Sequence, residues 1–277
     1  MLTKNNWFNT SLQERFYDKN SPFRFKINPY NFKSLAFNDA ADLTARSICE
    51  EYSNLYLAFS GGMDSEFVLR CFNRNNITIK PVIVKCGNPI EIQYAFKICD
   101  ELKIEPIILE VDEDYLYQFW YINIFKKFNG IGVNSSHNLI ASSYVSQFSD
   151  AIMISGNHLM SDEQIITEKD FFIGYEWDFY TDYFLSKCNN INFYCYSLEL
   201  IYAAAPLKLN FKKSWIDYKA KLFNVPYRKK NRHRYSDAFY NKINKTLSHY
   251  GYVQKIEIIS DIWTKKQFCD TFYHFIK

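Results

Sequence analysis

Residues 55–65 read LYLAFSGGMDS. An apolar run with the length of a buried strand stops at Ser60, Gly61 and Gly62 follow, and Asp64 and Ser65 open a segment with apolar residues at helical spacing. Lacking a Cβ, the two glycines let the backbone come close to an anion, and the N–H groups of the helix start point the same way with the helix dipole behind them. This is the pattern of a phosphate-binding turn, and a pyrophosphate would fit it. A plain strand-to-helix turn requires neither the paired glycines nor the serines on either side. Two familiar loops are excluded by spacing. A Walker-type loop needs a lysine before its Ser/Thr, and a dinucleotide fingerprint needs a third glycine three residues after its second.

The pattern around this turn alternates. Residues 39–52 have apolar positions at helical spacing, and residues 67–71 carry the stripe of a helix that stops at Asn75-Asn76. Short buried strands are expected at residues 81–84, 106–111 and 151–154, with helices at 90–102, 115–128 and 137–148 and a turn at Asn129-Gly130. Strands separated by helices of this length mean an α/β fold with a doubly wound, mostly parallel sheet. Ligands of such sheets sit beyond the C-terminal strand ends at the switch point, and Ser60-Gly61 and Ser155-Gly156 both belong to that edge. Beyond Asp162 the rhythm is lost. Residues 214–224 and 236–250 read as helices, the second with Gly251 as its C-cap. We therefore expect an irregular wrapping segment at 1–40, an α/β unit at 41–165, and a mainly helical part at 166–277 packed on it.

The hexapeptide SGGMDS resembles the pyrophosphate-binding loop of the N-type ATP pyrophosphatases, Ser-Gly-Gly-x-Asp-Ser. That PP-loop superfamily includes asparagine, GMP and NAD synthetases, argininosuccinate synthetase, tRNA lysidine synthetase and tRNA thiolases. The resemblance implies an adenine nucleotide alpha-hydrolase-like, Rossmann-like fold that binds ATP and Mg²⁺, breaks the bond between the α and β phosphates, and transfers AMP to a carbonyl or carboxylate oxygen. The residues suit those roles. Ser60, Gly61, Gly62, Met63 and Ser65 would cradle the phosphates, and Asp64 would hold the metal. An aspartate here could also serve as a helix N-cap.

A second constellation follows the fourth strand. Asparagine synthetases have Ser-Gly-Glu-Gly-x-Asp-Glu at the equivalent place, and here residues 155–163 read SGNHLMSDE, preceded by a similar helix and strand in LIASSYVSQFSDAIMISG. The resemblance assigns Ser155 and Gly156 to nucleotide binding and Asp162 and Glu163 to magnesium. Asn157 replaces the first glutamate and the Asp-Glu pair lies two residues further on, departures that weigh against asparagine synthesis more than against the superfamily. Asp162 and Glu163 could equally be the charged first turn of a helix, and His158 reads as a polar loop residue. Members of the superfamily hold adenine through main-chain groups at the end of the second strand, so the resemblance makes Val84 and Lys85 candidates for that contact. The bland alternative is sheet core for Val84 and a surface charge for Lys85.

Charge is unevenly placed. The chain carries a net +3, yet residues 208–234 hold ten Lys and Arg against one acid, Asp217. Within this window Lys212, Lys213, Lys229, Lys230 and Arg232 could stabilise a leaving pyrophosphate, which would make Lys229 and Lys230 catalytic. With Trp215, Tyr218, Tyr227 and Tyr235 interleaved, the same residues could instead track RNA and stack on bases. They could also be a solvated helix face and a basic loop.

Composition narrows the setting. Seven cysteines are scattered without a C-x-x-C pair, which disfavours a disulfide framework, a zinc knuckle or an iron–sulfur cluster. No charged leader with an apolar stretch opens the chain, and no run is long enough to span a bilayer, so a soluble cytoplasmic protein with no membrane partner is expected. The 22 Tyr and 25 Phe accompany many Asn, Lys and Ile, the signature of an AT-rich genome rather than of stacking platforms. Residue 2 is Leu, and the stretch before Leu55 is too short for a glutaminase domain. The implied reaction is an asparagine-synthetase-like ligation on a small-molecule carboxylate or amide, with ammonia free or supplied by a separate protein. Adenylation of a base in tRNA, and a nucleotide-binding module without turnover, remain as alternatives.

Overall fold

A computed structural model of the chain describes residues 24–25, 35–87, 89–126, 133, 135–156, 171–172, 190–204, 215–226 and 235–250. Helix α1 (Phe37–Glu51) buries Phe37, Ala40, Ala41, Thr44, Ala45 and Ile48 along one stripe, the spacing of a helix that packs on a core. It delivers the chain to β1 (Asn54–Ala58), which is buried from Leu55 onward. Helix α2 (Met63–Arg74), strand β2 (Lys80–Lys85), helix α3 (Pro89–Leu102) and strand β3 (Ile107–Glu110) follow. Helix α4 (Glu113–Trp120) runs on into a π-helical stretch, Tyr121–Phe125. Next come α5 (Ser135–Val145), β4 (Ala151–Ser155), β5 (Asn190–Asn192), α6 (Leu198–Ala204), α7 (Trp215–Phe223) and α8 (Asp237–His249). A separate ladder pairs Arg24–Phe25 antiparallel with Phe171–Phe172.

Asparagine and lysine close several helices. Asn76 (φ 55°) ends α2 and Lys103 (φ 56°) ends α3 in the left-handed region. In each case the next residue donates back to the last turn, Ile77 to the Phe72 carbonyl at 3.0 Å and Ile104 to that of Cys99 at 2.9 Å. This is how a helix satisfies its terminal carbonyls when no glycine is present. The stop expected at Asn75-Asn76 is therefore real.

The five sheet strands lie in the order β3-β2-β1-β4-β5, and every pairing is parallel. From β1 the chain builds outward through β2 and β3, then returns across the sheet to β4 and β5 on the other side of β1. Helices consequently cover both faces. Leu55 and Leu57 of the first strand and Phe59 just beyond it join Ile83, Ile152 and Ile154 in one core with α1, α2, α3, α6 and α7. The intervening Tyr56 and Ala58 join Val82, Met153, Ala141 and Val145 in the core under α5. A third cluster ties α4 and the π-helical stretch to α5 and α8 through Leu116, Trp120, Ile124, Phe239, Ile243 and Leu247. The two helix N-termini there share an anchor. The Glu113 carboxylate accepts from the Ser236 amide at 2.7 Å and from its hydroxyl.

The sheet continues beyond residue 165, the bound expected for the α/β unit. Strand β5, from the segment expected to be mainly helical, pairs with β4 in the register Ile154↔Ile191. Its sequence, Asn-Ile-Asn, has too little apolar content to announce a strand, and as the outer strand of the described sheet it needs little. Among the described residues, no helix is long and apolar enough to cross a membrane.

Candidate functional site

The Phe59 amide still donates to the Val82 carbonyl at 2.9 Å, and beyond it the chain leaves the sheet. Gly61 adopts φ +71°, and a Cβ there would lie 2.6 Å from the Ala95 nitrogen and 2.9 Å from the Glu91 oxygen. Both its backbone and its space thus demand glycine, because α3 passes directly behind the turn. Gly62 is the N-cap of α2. Its carbonyl accepts from the Glu66 amide at 2.9 Å and from the Ser65 hydroxyl at 3.1 Å. Its amide donates to Ser60 Oγ, which also lies 3.3 Å from Ser65 Oγ. The two serines brace the turn from both sides. Met63, partly buried, packs into the large core below.

Asp64 is not the N-cap. With Gly62 in that place, Asp64 sits in the first turn, and no side chain caps the helix. Its carboxylate forms an ion pair with Lys219 of α7. Lys219 is 3% exposed, which is rare for a lysine unless its charge is paired. Its position follows from local packing. Phe223, one turn further along α7 and on the same face, stacks on Phe67 at 4.8 Å and on Tyr194 at 5.5 Å. Lys219 Nζ lies 5.7 Å from the centre of the Phe223 ring. Helix α7 is closed by Asn224 (φ 51°), after which Val225 donates to the Ala220 carbonyl at 3.2 Å and is itself buried. Tyr194, fully buried, donates its hydroxyl to the Asp64 main-chain carbonyl at 2.8 Å. Burial, and then the neighbouring Asp64 charge, push its phenol well above the ordinary tyrosine range, so it remains a donor.

Strand β4 ends beside this turn, with Ser155 in register with Ala58 of β1. Gly156 lies against the start of α2, and a Cβ there would be 3.0 Å from Ser65 Cα and 3.1 Å from its nitrogen. Ser155 is fully buried, and its hydroxyl faces the Ile191 carbonyl of β5 at 3.5 Å. The structure therefore brings Ser60, Gly61, Gly62, Asp64, Ser65 and Gly156 together where β1 and β4 diverge. The switch point of the sheet is the glycine turn.

The other expectations divide. Val84 is partly buried and packs with the second and third clusters. The Lys85 carbonyl accepts from Val111 at 3.2 Å, and its ammonium pairs with Glu110 at 2.6 Å, which holds that carboxyl below its usual range. Asn157, His158, Asp162, Glu163, Lys229, Lys230 and most of the basic window lie outside the described residues. Sequence reasoning counted Lys219 among ten basic residues without distinguishing it, and missed Tyr194 altogether. The one available signal for Lys219 was its four-residue spacing from Phe223.

No family model matches the chain, and no curated protein does. Solved structures similar to it include an NH3-dependent NAD synthetase from Campylobacter jejuni subsp. jejuni NCTC 11168, at 17% identity over 44% of this chain and 55% of that one, with a TM-score of 0.35. An NMN synthetase from Francisella tularensis is 11% identical over 83% of this chain and 100% of that one, with a TM-score of 0.37. A predicted subunit of tRNA methyltransferase from Methanocaldococcus jannaschii is 14% identical over 72% and 88%, with a TM-score of 0.36. The chain spans about half the length of the NAD synthetase it resembles. At these scores the likenesses decide nothing by themselves, and the fold rests on its own strand order. It is a doubly wound α/β fold.

Proposed function

We propose that this chain is an ATP pyrophosphatase of the PP-loop type, which adenylates a carboxylate or carbonyl oxygen and passes the activated group to ammonia or an amine. The observation that carries the reading is the Ser-Gly-Gly-x-Asp-Ser turn at the switch point of a parallel sheet, with Asp64 facing a buried cation. Ser60, Ser65 and the amides at the start of α2 bind the outer phosphates, and Gly61 and Gly156 let α3 and the end of β4 pack directly against the turn. An acceptor oxygen attacks the α-phosphorus, the bond to the bridging oxygen breaks, and pyrophosphate leaves with that electron pair. Nitrogen then attacks the adenylated carbon and AMP departs.

Asp64 puts one carboxylate, paired with Lys219, at the turn, and Mg²⁺ is commonly bound by one or two carboxylates together with substrate phosphates. Asp64, with Asp162 and Glu163, would hold it, and it would neutralise charge on the departing pyrophosphate. Lys229 and Lys230 are proposed to add positive charge at the same end, and Val84 and Lys85 to meet adenine through their main chain. We propose a small-molecule acceptor, with ammonia free or from a separate protein. The charge of the 208–234 window favours a second reading, in which the acceptor is a base in tRNA.

Pyrophosphate release from Mg·ATP tests these readings. Release that depends on an amino acid and ammonia supports the first, and release that depends on tRNA supports the second. Asp64→Asn should abolish turnover while the fold remains. No release under any condition would leave a nucleotide-binding module, and no affinity for Mg·ATP in calorimetry would overturn the whole reading.

A further inference from the structure

Tyr194 meets the glycine turn at a peptide bond. Its hydroxyl donates at 2.8 Å to the Asp64 carbonyl, and the other end of that peptide unit is the N–H of Ser65. Ser65 is the third residue of α2, and the cap of that helix, Gly62, offers no side chain, so the Ser65 amide has no acceptor within the helix. The helix continues past Val68, which leaves the Asp64 carbonyl placed to accept the ordinary intrahelical bond as well. The phenol is thus a further donor on an oxygen with two lone pairs. A donor there draws electrons through the peptide unit and makes its N–H more positive, as hydrogen bonds in series polarise one another. Ser65 is buried, and the low dielectric around it strengthens the effect.

Two strand ends converge on this unit. Gly156, just after β4, packs so closely that a Cβ on it would lie 3.1 Å from the Ser65 nitrogen and 3.2 Å from the Asp64 carbonyl carbon. Tyr194 follows β5, where the Asn192 side chain accepts from its amide at 3.2 Å. Its ring is stacked on Phe67 at 6.2 Å and on Phe223 at 5.5 Å, and stands edge-on to Phe193 at 5.5 Å. Any buried phenol needs an acceptor. This one takes the carbonyl of a helix start rather than one of its own segment. We infer that Tyr194 is a positioning residue for phosphate: acting through the Asp64–Ser65 peptide unit, its hydroxyl strengthens the Ser65 N–H as a donor to an anion in the glycine turn. The anion rests on the nucleotide reading above; the effect on the peptide unit does not.

This peptide unit can be watched alone. Asp64-Ser65 is the only Asp-Ser pair in the chain, so the full chain made with carbonyl-¹³C aspartate and ¹⁵N serine gives a single carbonyl–amide correlation by nuclear magnetic resonance. In Tyr194→Phe the carbonyl carbon and the Ser65 amide proton should both move upfield as the donor is lost. Inorganic pyrophosphate should move the same amide in wild type, and calorimetry should find it bound about twofold to fourfold more weakly by Tyr194→Phe, the polarising share of a hydrogen bond to a charged group. Tyr194→3-fluorotyrosine carries a more acidic phenol, a stronger donor, and should shift both signals downfield and bind pyrophosphate more tightly than wild type. A side chain that only fills the core gives no such reversal, so losses of equal size in the two variants would overturn the inference. So would a Tyr194→Phe correlation identical to wild type, or an unchanged pyrophosphate affinity in a variant whose signals have moved. Wild type that binds neither pyrophosphate nor Mg·ATP would overturn the nucleotide reading and the anion with it, while the spectra would still decide what the hydroxyl does to the peptide unit.

Discussion

Gly156 lies so close to Ser65 that a methyl group on it would come within 3.0 Å of the Ser65 Cα. The contact is backbone against backbone, so no side-chain rotation relieves it. It joins the end of β4 to the first turn of α2, and so sets how far the two lips of the switch point stand apart. Gly156→Ala should lower unfolding stability by about 1–3 kcal/mol, the usual cost of overpacking. Urea denaturation measures this, and a midpoint equal to wild type would mean that the strand end and the helix separate freely.

Tyr194 and Phe223 hold the α7 side of the site by different means. Removal of the Tyr194 hydroxyl takes a donor from the Asp64 carbonyl and leaves the ring in place, so Tyr194→Phe should cost about 1 kcal/mol. Removal of the Phe223 ring opens a cavity between Phe37, Phe67 and Tyr194, and Phe223→Ala should cost about 3–5 kcal/mol. A loss in Phe223→Ala no larger than that in Tyr194→Phe would show that the aromatic packing does not seat α7.

The sequence alone was enough for the strand-turn-helix at residues 55–74 and for four of the sheet strands, because each buried strand is a short apolar run between turn residues. It also placed the terminus of α2, since asparagine tolerates the left-handed conformation that closes it. It was silent on β5, whose pairing with β4 is a tertiary fact and whose residues are polar. Asp64 was legible as an acid at a helix start, but not as a residue two places beyond the cap, because the choice of Gly62 as cap is made by the turn. Lys219 was illegible among its neighbours for a simpler reason. Charge has no direction in a sequence, and only the packing of Phe223 turns this lysine inward.

Asp42 links α1 to the end of α2. Its carboxylate accepts from Arg74 at 2.7 Å, from the Asn75 amide at 2.8 Å and from the Cys71 thiol at 3.4 Å. Burial alone would raise its pKa, but these hydrogen bonds and the Arg74 charge outweigh burial and hold it below the ordinary carboxylate range. A group depressed in the folded state adds stability above its unfolded pKa of 3.8, and that contribution disappears as the pH falls through the folded value. Asp42→Asn should therefore be less stable than wild type at neutral pH, and the gap should close on acidification below about pH 4. Melting temperatures across that range provide the check, and a gap independent of pH would remove the carboxylate from the account.

The buried thiols predict the opposite limb. Burial, followed by the charges of Glu113 and Asp112, pushes Cys86 up to about 11, and burial with the Asp100 charge pushes Cys99 up to about 11, from an ordinary value of 9.0. Cys71 is raised further, again chiefly by burial. The folded state thus binds protons that the unfolded chain releases. Stability from these groups is complete below pH 9.0 and is lost as the pH rises through about 11. In mildly alkaline iodoacetamide, among the described cysteines the exposed Cys49 should be alkylated before Cys71, Cys86 and Cys99, which react only as the protein opens. Peptide mass spectrometry resolves the order. Early modification of Cys99 would mean that α3 detaches from the sheet far more readily than its burial implies.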